Sequence, residues 1–142
     1  MTYSVQHLTQ VADCNVLLAL AAKERADLDF KRISEQRMTV KFTQTSQEID
    51  AELQGVTVEI AATETIISML PEGPAKEDAI DKRTRLEYRR FTLENRKENY
   101  GTIALLEKEM DLSRTVREIE EVDGFINAVD ARKAAIESQP QN

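Results

Sequence analysis

Residues able to do chemistry are few in this sequence, and their spacing is poor for it. His7 is the only histidine and Cys14 the only cysteine among 142 residues. They stand seven apart, which lets them share a helix face as two metal ligands, but two ligands do not complete a tetrahedral zinc site. A di-metal helical bundle requires Glu-x-x-His pairs and a metalloprotease helix His-Glu-x-x-His, and neither string occurs. Cys14, set among apolar neighbours, reads as a small buried hydrophobe. With one histidine, a nucleophile–base pair has only His7 to draw on. The four glycines are scattered and make no phosphate-binding loop. No catalytic, metal or cofactor role is assigned to any residue, and an enzyme is not expected.

Carboxylates cluster at Glu107, Glu109 and Asp111, and again at Glu118, Glu120, Glu121 and Asp123. Glu107 and Asp111 share a helix face where a hard cation could sit, yet such density is the ordinary chemistry of a solvated helix face. The basic run from Lys82 to Arg90 is the best candidate for an anionic ligand, with Arg85, Arg89 and Arg90 around Tyr88. Its competing role is to flank a helix seam and meet an acidic partner.

Composition bounds the rest. Lys and Arg number 19 against 26 Asp and Glu, a formal charge of −7, the wrong sign for general phosphate-backbone or anionic-membrane binding. Only 5% of residues are aromatic, there is no Trp, and Gly and Pro together number seven, too few for a turn-rich β domain. The apolar run 16–22 has Asp13 upstream and no preceding base, so it does not read as a leader. It is also too short to span a bilayer. The expected setting is cytoplasmic, with no nucleic acid and no membrane insertion.

Pro71-Glu72-Gly73-Pro74 is the strongest punctuation, because no continuous helix crosses two prolines bracketing a glycine. It divides the chain into a first arm of about 4–70, a turn at 71–74 and a second arm of about 75–138, with a polar tail at 139–142, all one helical domain. In the first arm Phe42, Ser46, Ile49, Leu53, Val56, Ile60, Thr63, Ile67 and Leu70 alternate steps of four and three, the spacing of a coiled-coil seam. In the second, Leu105, Leu112, Ile119 and Ile126 recur every seven residues, and Leu86, Leu93 and Tyr100 keep the same seven-residue interval further back. The 39 large apolar residues match the roughly 37 that a two-in-seven seam demands, against about 56 for a wider bundle face.

Charge pattern supports antiparallel pairing of the arms. Residues 46–70 hold five acids and no base, while 75–100 hold eight bases and six acids. Folding about residue 72 sets Glu59 near Arg85 and Glu48 near Arg96. The expected fold is therefore all-α: a long, coiled-coil-like antiparallel helical hairpin. A soft point with a kink or break is expected near 38–45, where β-branched residues alternate like a strand, and near 99–102, around Gly101. The alternative is a compact four-helix bundle with helices near 4–37, 46–70, 75–98 and 102–138.

Near the chain ends the apolar surface exceeds one seam. Val11, Val16, Leu17, Leu18 and Leu20 on the first arm face Val116, Ile119, Val122, Phe125 and Ile126 on the second. Surplus apolar surface is normally buried by association. The expected function is a non-enzymatic interaction, scaffold or adaptor protein that pairs with a protein partner or with itself, as a homodimer. The competing expectation is a bundle that holds a small apolar or anionic ligand between its helices.

Overall fold

The computed structural model describes residues 2–139 and is all-α. A 3₁₀ turn at Val5–His7 precedes three helices: α1 at Val11–Met69, α2 at Pro74–Tyr100 and α3 at Thr102–Glu137. No strand occurs among the described residues. The first arm becomes helical at Val11 rather than near residue 4, because residues 2–10 form a separate strap. Of the expected polar tail, residues 140–142 lie outside the described residues.

The reversal falls where the prolines place it. Gly73 has φ 151°, a backbone state that side-chain-bearing residues rarely adopt. Pro74 follows at the first helical position, where its missing N–H costs nothing. The amide of Glu77 then bonds the Gly73 carbonyl at 3.1 Å and opens α2.

The chain forms two compact units. Met38–Lys108 makes one, and the chain ends, up to Arg37 and from Glu109 onward, make the other. In each, α1 runs antiparallel to the second arm. In the central unit, Leu93 is 2% exposed and packs on Val56 and Ile60, with Leu53 and Leu86 at the edges. Arg89 bonds Glu52 at 2.6 Å and Lys97 meets Asp50 at 2.9 Å. These are the cross-helix pairs that form, rather than Glu59 with Arg85 or Glu48 with Arg96. Glu48 and Arg85 project from the outer faces of their helices, whereas Arg89 and Glu52 border the seam.

Covered positions on α1 follow a strict seven-residue period. One series is Val11, Leu18, Arg25, Arg32, Thr39, Ser46, Leu53, Ile60 and Ile67. The other is Cys14, Ala21, Leu28, Glu35, Phe42, Ile49, Val56 and Thr63, and Leu70 keeps the period just beyond the helix. Cys14 is fully buried.

Between residues 25 and 39 the stripe is mostly polar. Arg25 pairs with Asp123 at 2.8 Å and Arg32 with Asp29 at 2.6 Å, while the Thr115 hydroxyl donates to Glu35. All four side chains of these arginine pairs are more than one-third exposed, so solvent screens the pairs strongly. Their main effect is to keep long polar chains compatible with a covered stripe.

The helix is broken at only one of the two expected soft points. Gly101 separates α2 from α3, but 38–45 stays α-helical. The β-branched residues there remain helical, and the Thr43 hydroxyl donates to the Thr39 carbonyl one turn back at 2.9 Å. Phe42 is held from outside as well. Tyr100 packs on it with ring centroids 4.9 Å apart, and the Lys108 ammonium lies 5.5 Å above the ring. The division of the first arm into helices at 4–37 and 46–70 is therefore not made.

Gly101 also corrects the register. The covered series Ala79, Leu86, Leu93 and Tyr100 would continue at Glu107, which is exposed; α3 covers Lys108, Thr115, Val122, Val129 and Ile136 instead. The second arm carries one extra residue at the break while α1 carries none. Gly101 is buried, and a Cβ there would lie 2.5 Å from the Lys97 carbonyl oxygen.

Candidate partner-binding groove

The strap supplies what helix periodicity could not. Arg132 on α3 donates from Nε and from its terminal nitrogen to the Leu8 carbonyl, at 2.9 and 2.8 Å. From that clamp the chain runs back along α3 to Tyr3, whose hydroxyl donates to Glu121. The Tyr3 ring stands edge-on to Phe125, with centroids 5.0 Å apart and planes at 77°. The hydrogen bond to Glu121, together with desolvation and the carboxylate's charge, raises the Tyr3 pKa above the usual phenol value.

Beside this contact a groove of about 600 Å³ opens between α1 and α3. Its floor is Leu17, Leu20, Ala21, Val122, Phe125 and Tyr3, and its rim is Lys23, Glu24, Asp27 and Glu121. Leu20 stays 61% exposed. The groove is apolar below and carries three acids against one base above.

Four of the ten residues expected at an interface meet here: Leu17, Leu20, Val122 and Phe125. Val11, Leu18, Ile119 and Ile126 lie on the covered stripes between the helices, and Val116 is half-buried beside them. Val16 is 59% exposed and is not part of the groove lining. Tyr3, Lys23, Glu24 and Asp27 were not identified from sequence. Contacts of Tyr3 with α3 span 118 residues, and nothing local to Tyr3 signals them.

The three arginines considered for an anion diverge. Arg85 is exposed on the outer face of α2, Arg89 is engaged by Glu52, and Arg90 is half-buried along the seam. Of the acidic clusters, Asp111 accepts from Arg114 at 3.0 Å and Asp123 from Arg25 at 2.8 Å. His7 is exposed in the 3₁₀ turn. Among the described residues no group of three or more His, Cys, Asp or Glu is placed to hold a metal ion. No described helix is long and apolar enough to cross a membrane.

The chain is all-α and carries an open, largely apolar groove between α1 and α3. No protein family, curated protein or solved structure matches the chain.

Proposed function

We propose that this chain is a non-enzymatic interaction protein that works by helix pairing and associates with itself. The observation that carries the proposal is the groove beside Phe125, where Leu20 stays mostly exposed on an apolar floor ringed by charge. Such a surface suits an amphipathic helix laid in a groove: apolar anchors supply affinity, and rim charge chooses orientation and partner.

Light scattering on the full chain over a dilution series tests the proposal. The expected result is a mass rising above the 16.1 kDa of one chain as concentration increases across the micromolar range. A constant single-chain mass over that range would refute self-association.

A further inference from the structure

We infer that two copies form a closed two-fold dimer, in which the outer stripe of α1 from Asp13 to Arg37 lies antiparallel on the same stripe of the second copy. This pairing rests on the self-association proposed above and specifies what meets Leu20.

Besides its two covered series, α1 carries a third stripe at alternating steps of three and four: Asp13, Val16, Leu20, Lys23, Asp27, Phe30, Ser34 and Arg37. All eight residues are exposed, with Val16 at 59%, Leu20 at 61% and Phe30 at 74%. Among the described residues, none of the four charged side chains on the stripe is engaged in an ion pair. Leu20, Lys23 and Asp27 also line the groove, so a helix laid on the stripe runs along the groove's α1 edge.

The stripe is complementary to itself when reversed. With a two-fold axis midway between Lys23 and Asp27, Asp13 meets Arg37 of the second copy, Val16 meets Ser34, Leu20 meets Phe30 and Lys23 meets Asp27. Opposite charges face each other at both ends and at the centre, with apolar side chains between them. A slip of one heptad in either direction sets Phe30 on Asp13 or on Asp27, and Leu20 on Lys23 or on Arg37. Parallel pairing in register sets every charge on its own copy. Charge therefore selects one orientation and one register.

The edges of the stripe agree with this. Ala12, Ala19, Ala26 and Ile33 flank one side, and Leu17, Glu24 and Lys31 the other. Glu24 approaches its own copy at the axis, the one like-charge approach between the two α1 surfaces. Stripe and edges together hold three acids, Asp13, Glu24 and Asp27, against three bases, Lys23, Lys31 and Arg37. This surface is neutral on a chain of net charge −7, so copies meet here without the repulsion that their overall charge imposes. Across the groove α3 adds Glu121, which accepts from Tyr3.

Sedimentation velocity on full-length chains tests the pairing, with circular dichroism confirming that each variant is helical. The native chain should reach twice the single-chain mass of 16.1 kDa and stop, because a two-fold contact leaves neither copy with the stripe open. Asp13→Arg and Arg37→Asp should each weaken association about tenfold. Mixed in equal amounts, these two variants should form a one-to-one dimer, since each supplies the charge the other lacks. Both substitutions in one chain should also restore association. Asp13 and Arg37 stand 24 residues apart on α1, about 36 Å, so no contact within one chain produces that rescue. Phe30→Glu, at an exposed position, should stay monomeric where the native chain associates. Growth beyond two chains, absence of rescue, or native-like association of Phe30→Glu would overturn the two-fold pairing and leave self-association by other surfaces standing. A native chain that never associates would overturn the underlying proposal as well.

Discussion

The Tyr3 and Phe125 rings form a T-shaped pair with centroids 5.0 Å apart, joining the start of the chain to α3. Together with the Arg132 clamp on Leu8, this contact holds residues 3–8 against α3 and makes Tyr3 part of the groove lining.

The strap contact is sensitive to high pH. Tyr3 is a better hydrogen-bond donor to Glu121 when protonated, and its pKa is raised in the folded state. A group raised above its unfolded value stabilises fully below that value and loses its contribution as pH climbs through the folded one. Strap docking should therefore weaken above about pH 10. Hydrogen exchange of residues 3–8, taken relative to the intrinsic base-catalysed rate, checks this: protection is expected to fall at high pH. In Tyr3→Phe, exchange should already be faster at neutral pH and lack the alkaline step.

Asp29 gives the opposite limb. The Arg32 guanidinium bonds its carboxylate, and Arg25 adds attraction at 3.6 Å, so its pKa is lowered. A depressed acid contributes stability above its unfolded pKa and loses it as pH falls through the folded one. The loss is expected below about pH 4. Comparing acid unfolding of the native chain with Asp29→Asn should show this component missing from the variant.

Gly101 and Gly55 should respond oppositely to alanine. At Gly101 the new Cβ meets the Lys97 carbonyl at 2.5 Å, so backbone must shift, at a cost of about 1–3 kcal/mol. At Gly55, inside α1, nothing lies within 4 Å, and alanine should stabilise by about 0.5–1 kcal/mol. Urea denaturation of the two variants measures both signs.

Leu93 is the test of the central unit's core. It packs between Val56 and Ile60 at 2% exposure, so Leu93→Ala should cost about 2–5 kcal/mol by the same measurement. Phe91→Ala, two residues away and exposed, should change stability by no more than about 0.5 kcal/mol.

Where burial is apolar the sequence was readable. From Ser46 to Leu70 every covered position of α1 was marked by the alternating four-and-three spacing, and the Pro-Gly-Pro corner located the turn. Between Arg25 and Thr39 the same stripe continues under polar residues, so hydropathy hides it. At 38–45 local β-propensity pointed to a break, but the segment stays helical with Phe42 packed against Tyr100 and beneath Lys108. The one-residue register shift at Gly101 shows only when covered positions on either side are compared. Four of the groove's ten lining residues were legible, because Leu17, Leu20, Val122 and Phe125 exceed what one seam can bury. The Tyr3 wall was not, since it depends on a contact between distant parts of the chain.

Sedimentation equilibrium on three full-length chains tests the central claim most directly: the native protein, Leu20→Glu in the groove, and Val58→Glu at a 63% exposed apolar position of α1 outside it. The native chain and Val58→Glu should associate alike, while Leu20→Glu should weaken association at least about tenfold. Equal association of all three would contradict the assignment of the groove as the contact surface.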